Sequence, residues 1–265
     1  KLVSIHPNEN VYFNSLIGGL AGAKQRNFPA WGNSFGAAYR QGVVWLNDNA
    51  EQGAKVAYAR ELIPNIPRIW LRTDINFHNS NRSGYLRKGE FIITLNYHRV
   101  LETSYFDRYL DRFLKPVYQV KVDGVSILRV WQNDIDHTKQ EFLNEKLLTD
   151  YNITKKSSGL NIDLGRDFFL SRLEGDINKK QCSSLKSGYV QISSNGRDWN
   201  RLPGVMPNED WSVPQFGNQP TEDSLMIPFA ADKARFISLV LSPENSCLVQ
   251  LTNLKIFVLD ITGLK

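Results

Sequence analysis

The chain has 265 residues, of which 42% are hydrophobic and 22% are charged, and this composition excludes disordered, collagen-like and coiled-coil proteins. Its length predicts two domains of roughly 100–150 residues each. The net charge is +5, and no run of adjacent Lys and Arg is longer than two residues. This pattern favours a mixed, solvated surface. It allows contact with anionic membranes and disfavours nucleic-acid binding.

The first half of the chain alternates helical and strand patterns. Apolar residues spaced by three or four predict a helix that is capped by Asn33 or Ser34 and ends at Gly53. A second helix is predicted to begin after Thr103 or Ser104. The predicted strands are 54–59, 68–71, 89–95, 117–122 and 125–131, the last two joined by a type I′ turn at Asp123-Gly124. This alternation predicts an α/β domain with some parallel sheet.

The pattern changes after Asn133, and we place the domain boundary there, giving domains 1–133 and 134–265. Residues 134–158 are polar apart from a short helical pattern at 139–148. Seven strand patterns follow, at 160–164, 168–177, 188–194, 197–202, 224–229, 234–242 and 249–261. They predict an antiparallel β-sandwich. The proline-rich segment 203–223 is too long for a passive connection, so we expect it to carry contacts or to cover a sheet end.

Three segments of the second domain resemble discoidin domains of the coagulation factor 5/8 type C family. They are Ile162-Asp163-Leu164-Gly165 with the strand after it, Tyr189–Trp199, and Ala234–Leu239 followed by Leu254–Leu259. The resemblance implies a jelly-roll sandwich. It also implies binding of glycans, phospholipids or proteins through loops at one end.

Aromatic residues of segment 203–223 are candidates for sugar binding. Trp211 and Phe216 lie outside any strand periodicity, and an exposed aromatic ring stacks on the apolar face of a sugar. Asn208, Asp210 and Asn218 are available to hydrogen-bond sugar hydroxyls. The alternative is that Trp211 packs against its own domain. Trp199, which follows the Asn195-Gly196 turn, is expected in the core.

The first domain resembles the segment that follows the last transmembrane helix of polytopic GT-C glycosyltransferases. These are relatives of protein O-mannosyltransferases and aminoarabinose transferases, which use polyprenyl-phosphate sugars. The resemblance is carried by His6–Asn14, Leu16–Gly19, Ala30-Trp31-Gly32, Val44–Ala50 and the hairpin Val120–Val130. It implies that this chain is joined to a transmembrane region on the extracytoplasmic side. The catalytic carboxylate would belong to that membrane region, so the 265 residues themselves are expected to be inactive.

The stretch from Tyr12 to Arg26 has two readings. Tyr12 and Phe13, with Lys24 and Arg26 after them, are suited to a membrane interface, where aromatic rings lie among head groups and cations meet phosphates. The alternative is packing in the core of the first domain.

No catalytic, metal or cofactor pattern is identified. GxSxG, HExxH, P-loop and GxGxxG motifs do not occur in a strand-to-helix setting. The string Asp134-Ile135-Asp136-His137 is expected to be solvated, and Asp107, Arg108, Asp111 and Arg112 are expected to form a charged outer helix face. Cys182 and Cys247 are compatible with a disulfide and with two unpaired thiols.

The leading interpretation is the extracytoplasmic C-terminal region of an integral membrane glycosyltransferase that assists glycan or acceptor recognition. Its expected partners are the transmembrane region of the same polypeptide, a glycan or polyprenyl-phosphate sugar, and an anionic membrane surface. One alternative is a secreted carbohydrate- or lipid-binding protein. Another is a self-contained hydrolase built on the α/β domain.

Overall fold

The computed structural model describes residues 5–34, 36–59, 68–97, 105–156, 159–176, 188–202, 224–241 and 252–261. It divides the chain into two compact units. The first consists of Lys1–Ser83, Arg87–Glu102 and Leu114–His137, and the second of Gly84–Leu86, Thr103–Phe113 and Thr138–Lys265. The helix before Leu114 therefore belongs to the second unit, although the sequence boundary at residue 133 places it in the first domain.

The first unit contains helices α1 (Gly19–Gln25) and α2 (Ala37–Asn49). At the start of α2, the buried Ser34 Oγ accepts a hydrogen bond from the Ala38 N–H at 3.2 Å. This contact satisfies one of the amide groups that a helix N-terminus leaves without an internal partner. The N-cap position itself is occupied by Gly36 and not by Asn33 or Ser34, so the helix begins later than the sequence predicts.

The sheet of the first unit has five strands: β1 (Lys55–Tyr58), β2 (Asn76–Phe77), β3 (Phe91–Leu95), β4 (Pro116–Val122) and β5 (Val125–Gln132). Their order is β2-β1-β3-β5-β4, and β1 runs parallel to both of its neighbours. All five residues of β3 are buried. Asp123 and Gly124 have φ values of 47° and 76°, so the predicted hairpin turn is confirmed.

The segment at 68–71 is not the predicted strand, because Arg68–Trp70 is a turn of 3₁₀ helix. The side chain of Asn47 on α2 binds this segment at two points. Asn47 Nδ2 donates to the Trp70 carbonyl at 2.6 Å, and Asn47 Oδ1 accepts from the Arg72 N–H at 2.8 Å. These backbone groups are thus satisfied by a helix side chain rather than by a neighbouring strand.

The second unit contains seven strands among its described residues. They are β6 (Glu145–Leu148), β7 (Asn152–Lys156), β8 (Gly159–Asp176), β9 (Gly188–Ser193), β10 (Asn200–Arg201), β11 (Ser224–Leu241) and β12 (Thr252–Leu259). The helical pattern at 139–148 was misleading, since it holds a 3₁₀ turn at Gln140–Phe142 followed by β6. Each of the two 18-residue strands, β8 and β11, joins two strands that the sequence predicted separately.

The two long strands change layer together. The start of β8, Gly159–Asp163, pairs with the end of β11 and with β7, and β9 and β10 extend this layer. Residues 169–176 of β8 pair with the start of β11 and with β12, which pairs with β6. Between these halves the β8–β11 register shifts at Pro228/Asp232 and at Ala234/Phe236. Such bulges bend a strand, so one continuous sheet forms both layers.

The layers enclose one apolar core. Leu160 and Ile162 from the first half of β8 belong to the same buried cluster as Leu170 and Leu173 from its second half. Side chains from β9, β11 and β12 complete this cluster. The second unit is therefore an antiparallel jelly-roll sandwich, and the first is an α/β unit, as the sequence predicts.

Helix α3 (Tyr105–Phe113) corrects part of one expectation, because Asp107 is buried and Arg108 largely buried, while Asp111 and Arg112 are exposed. Asp107 is fully buried. The largely buried Arg108 Nη1 lies 2.5 Å from Asp232 Oδ1 on β11, and Arg112 Nη1 donates to the Ala230 carbonyl at 2.5 Å. The spacing of charges along a helix does not reveal a partner that is more than 100 residues away in the chain.

Candidate ligand-binding sites

The strand ends that border segment 203–223 lie among the termini of paired strands. Asp176 of β8 pairs with Ser224 and with Thr252, which begin β11 and β12. In the other layer, Leu241 pairs with Gly188 at the start of β9. Both sets of termini are the parts of the β8–β11 pair farthest from its register shifts. We call these paired termini together the open end.

The predicted sugar-binding residues Asn208, Asp210, Trp211, Phe216 and Asn218 lie outside the described residues, as do Cys182 and Cys247. The structure does place the two strand ends that border their segment. Leu202 donates its N–H to the Val190 carbonyl at 2.9 Å, and Ser224 pairs with Asp176. Both strand ends lie at the open end.

The described rim of the open end is polar. Asn253 Nδ2 donates to Asp176 Oδ2 at 2.6 Å, and both residues are exposed. Tyr151 donates its hydroxyl to the Leu254 carbonyl at 2.6 Å. The guanidinium of Arg201 lies 4.4 Å from the centre of the Tyr189 ring. These groups can meet a hydroxyl-rich ligand with hydrogen bonds.

Trp199 lies next to Phe236, at the register shift between Ala234 and Phe236 of β11. Its indole is half-buried, and its ring centre is 6.4 Å from that of Phe236. Asn195-Gly196 does not form a two-residue turn, because six residues separate β9 from β10. Instead, Asn195 Oδ1 accepts from the N–H groups of Arg197 and Asp198 at 2.8 and 2.9 Å. An Asx turn of this kind competes with the tighter hairpin that the dipeptide favours.

The predicted membrane-interface residues divide between burial and exposure. Phe13 is half-buried on the core of the first unit and meets Phe28 edge-on, with ring centres 5.9 Å apart. Tyr12 is 40% exposed. Lys24 and Arg26 are both exposed; the Lys24 ammonium lies over the Trp31 ring, and Arg26 donates to the Ile17 carbonyl.

The most exposed apolar side chain of this stretch is that of Leu16, which the sequence pattern includes with Tyr12 and Phe13. Leu16 is 90% exposed, in a short 3₁₀ turn whose first amides are capped by Asn14. Leu16 and Tyr12 are thus both exposed, and Arg26 binds the carbonyl of Ile17, the residue after Leu16. Membrane contact by Tyr12, Phe13, Lys24 and Arg26 stays a prediction.

The first unit contains a concavity of about 710 Å³ that we call the α2 concavity. Its floor is one face of α2, formed by Ala37, Arg40, Gln41, Val44, Trp45 and Asp48. These residues recur every three or four positions, so they share one face of the helix. Trp70, Tyr118 and the segment His6-Pro7 form its sides.

Aromatic rings of the α2 concavity are held in place by their neighbours. Trp45 stacks on Tyr118 with ring centres 5.3 Å apart and an interplanar angle of 11°. Arg40 lies 4.7 Å from the centre of the Trp70 ring. Burial raises the pKa of the Tyr118 hydroxyl above its usual value, so this residue stays a neutral donor at physiological pH.

Sequence periodicity does not reveal this concavity, because the apolar spacing marks another face of the helix. The apolar spacing that predicted α2 includes Tyr39, Val43 and Leu46, which are buried against the sheet. Val44 and Trp45 were considered only as part of the segment Val44–Ala50, which carries the resemblance to GT-C glycosyltransferases. These two residues give an already amphipathic helix a second apolar face, and this second face is the sequence signal that could have indicated a binding surface.

One sequence pattern for a nucleophile occurs at Gly32-Asn33-Ser34-Phe35-Gly36, which fits GxSxG. In nucleophile-elbow enzymes the serine follows a strand and exposes its hydroxyl. Here Ser34 is buried, follows turns rather than a strand, and uses its Oγ to cap α2. This serine is therefore a structural residue.

The Asp134–His137 string forms a local turn. Asp134 Oδ1 accepts from the His137 N–H at 2.8 Å and lies 2.8 Å from His137 Nδ1. Among the described residues, no group of three or more His, Cys, Asp or Glu is arranged to hold a metal ion.

Comparison with protein-family models and with curated protein sequences gives no match. Several solved structures are similar to part of the chain. One is a CBM32 module from a family 31 glycoside hydrolase of Clostridium perfringens, with 12% identity, a TM-score of 0.29, and coverage of 43% of this chain and 95% of the module. A second is a family 32 carbohydrate-binding module of the same organism in complex with galactose, with 12% identity, a TM-score of 0.26, and coverage of 45% and 73%.

A third is a fucolectin from striped bass serum, with 9% identity, a TM-score of 0.26, and coverage of 53% of this chain and 55% of the lectin. These are folds to which the chain is similar. The sandwich assignment itself rests on the strand pairing described above.

Proposed function

We propose that this chain is a non-catalytic carbohydrate-recognition region whose sandwich binds glycans at its open end. The observation that carries the proposal is that both strand ends bordering segment 203–223 lie at termini of paired strands, away from the register shifts in β8 and β11. An open end of this kind collects loops from both layers, and loops on a rigid scaffold are frequent ligand-binding elements.

Within this proposal, Trp211 is the stacking platform and Phe216 a second apolar contact. Asn208, Asp210 and Asn218 supply hydrogen bonds to hydroxyls. The polar rim around Asp176 and Asn253 supports the same chemistry, because a hydroxyl-rich ligand needs donors and acceptors in place of the water it loses.

We further propose that the chain is the extracytoplasmic C-terminal region of a GT-C glycosyltransferase. Its partners would then be the transmembrane region of the same polypeptide and a glycan or polyprenyl-phosphate sugar. The motif His6–Asn14 and the exposed Leu16 beside Lys24 and Arg26 support a position at an anionic membrane surface. None of the helices in the described part of the chain has the length and hydrophobicity of a membrane span.

The alternative is a secreted carbohydrate- or lipid-binding protein. The coding sequence upstream of Lys1 distinguishes the two. Several hydrophobic spans favour the membrane enzyme, whereas a signal peptide without such spans favours the secreted protein.

The glycan-binding proposal is tested with the variant Trp211→Ala in the complete 265-residue chain. We expect its affinity for the glycans that the unmodified chain binds to fall at least about tenfold, which corresponds to roughly 1.4 kcal/mol. Its melting temperature should stay within error of the unmodified chain. The readouts are a glycan array, titration calorimetry with the strongest glycan, and thermal unfolding.

The matched control is Trp199→Phe, which changes an aromatic residue that packs beside Phe236 at the register shift of β11. Its glycan affinity should be unchanged. Equal loss of melting temperature and affinity in Trp211→Ala would identify Trp211 as a core residue and contradict its role in binding.

A further inference from the structure

We infer that the α2 concavity is a second ligand site, and that its ligand is a neutral saccharide of a few sugar units. The residues that line it all belong to the first unit. The inference therefore does not depend on glycan binding by the sandwich, and either site can exist without the other.

The dimensions and surface of the concavity suit a small ligand. Its volume of about 710 Å³ falls within the range of ligand pockets, roughly 300–1,000 Å³. Val44 and Trp70, which line it, are 49% and 41% exposed. The opposite face of α2 already covers the sheet through Tyr39, Val43 and Leu46. Trp45 is partly buried against this core, whereas Val44 and Trp70 stay exposed and add apolar surface to the concavity.

The aromatic groups are pre-positioned. Trp45 is fixed by its parallel stack on Tyr118 and by an edge-on contact with Phe91. Trp70 is fixed through its backbone by Asn47, as described above. Rigid aromatic rings offer a large contact area at a low entropic cost, and a sugar ring presents an apolar C–H face to such surfaces.

Polar groups around these rings supply both donors and acceptors. Gln41 Nε2 donates to Asn8 Oδ1 at 3.1 Å and to the Ala37 carbonyl at 3.2 Å, which leaves Gln41 Oε1 to accept a hydrogen bond. Asp48 is exposed and brings carboxylate acceptors. Arg40 has five N–H donors and is held over the Trp70 ring.

The charges favour a neutral ligand over an ionic one. Arg40 and Asp48 contribute one positive and one negative charge to the lining, and His6 lies 2.5 Å from Glu9 Oε1, so its ring is already partnered by a carboxylate. A phosphate site needs an excess of donors with positive charge, and a site for an organic cation needs aromatic faces without a competing guanidinium. A neutral saccharide suits this site, because its C–H faces can stack on the rings and its hydroxyls can bind the acceptors and the single cation.

The test follows the six tryptophan indole N–H signals of the complete 15N-tryptophan-labelled chain by NMR. Maltose, cellobiose, mannobiose and diacetylchitobiose are titrated in turn, with inorganic phosphate and tetramethylammonium as ionic probes. The Trp45 and Trp70 signals are assigned from the variants Trp45→Phe and Trp70→Phe. We expect at least one disaccharide to shift both signals and neither ionic probe to do so.

Two variants with matched controls locate the effect. Trp70→Ala should weaken disaccharide binding at least about tenfold, whereas Ile69→Ala, its exposed neighbour outside the lining, should not. Asp48→Asn removes one charge at constant shape and should also weaken binding, whereas Glu51→Gln should not. Trp211→Ala should leave the Trp45 and Trp70 shifts unchanged, which separates this site from the sandwich.

The inference is overturned if none of the four disaccharides shifts the two signals, or if only phosphate or tetramethylammonium does. It is also overturned if Trp70→Ala and Asp48→Asn, folded by their melting curves, bind as tightly as their controls.

Discussion

Glu90 at the start of β3 is a buried carboxylate held by three donors. It accepts from the Ser83 N–H at 2.7 Å, from Ser83 Oγ at 2.6 Å and from Asn133 Nδ2 at 2.8 Å. These hydrogen bonds favour the ionised form, but burial disfavours it more strongly. The net result is that the pKa of Glu90 is raised above its ordinary value.

This raised pKa predicts the direction in which the effect of Glu90→Gln on the free energy of unfolding changes with pH. A carboxyl group whose pKa is higher in the folded state contributes stability below its unfolded pKa, and that contribution disappears as the pH rises through the folded pKa. The free energy of unfolding of the unmodified chain, relative to that of Glu90→Gln, should therefore fall between pH 4 and pH 7. Urea unfolding at several pH values measures it. A difference that stays constant or grows with pH would contradict the prediction.

Arg72 shows a contact that sequence reasoning could not supply. Its guanidinium donates to the carbonyls of Asn47, Ala50 and Glu51 at 2.6–3.0 Å, and so caps the C-terminus of α2. Asp74 binds the same guanidinium, and this hydrogen bond, helped by the Gly53 N–H, lowers the pKa of Asp74 to about 2. The Asp123-Gly124 turn was predictable because its cause lies in two adjacent residues, whereas this cap joins residues about 25 positions apart.

At the scale of elements, helix α3 is held on β11 by a buried ion-pair cluster. The side chain of Asp232 is 7% exposed, and its Oδ1 accepts hydrogen bonds from Arg108 Nη1 at 2.5 Å and from Arg112 Nη1 at 3.3 Å. Asp232 Oδ2 also accepts from the Ala230 N–H at 3.2 Å. Removing one partner of such a pair leaves the other charge buried without compensation.

We therefore expect Asp232→Ala to destabilise the second unit by about 3–5 kcal/mol. Hydrogen–deuterium exchange should rise in Tyr105–Phe113, since this helix loses its ion pairs with β11, while β3 should exchange as before. The control is Lys146→Ala, which breaks the more exposed pair with Asp260 and should cost less than about 1 kcal/mol. Equal effects of the two substitutions would contradict the account.

The strands were predictable where hydrophobic periodicity marks them. Leu160, Ile162 and Leu164 alternate with polar residues, and this part of β8 was identified. Strand β7 was missed because all five residues from Asn152 to Lys156 are exposed, so burial leaves no pattern. The union of two predicted strands into β8 was also missed, because the residues at the bend, Gly165–Asp167, are polar and suggest a turn.

At the scale of the whole molecule, the sequence predicted two units and both fold classes. It could not predict that Gly84–Leu86 and Thr103–Phe113 join the second unit, since this depends on contacts with β-strands far along the chain. For the candidate sites, the sequence favours the loop containing Trp211, which stays a prediction outside the described residues, and gives no indication of the α2 concavity. A concavity needs the side chains of Trp70 and Tyr118 beside a helix face, and their meeting is set by tertiary structure.

The most direct test of saccharide recognition by this molecule is an array of neutral glycans probed with the complete chain and with the double variant Trp70→Ala/Trp211→Ala. We expect the unmodified chain to bind a defined set of glycans, and the double variant to lose that binding while its melting curve is retained. An unmodified chain that binds no glycan, or a double variant that binds as well as the original, would contradict the account.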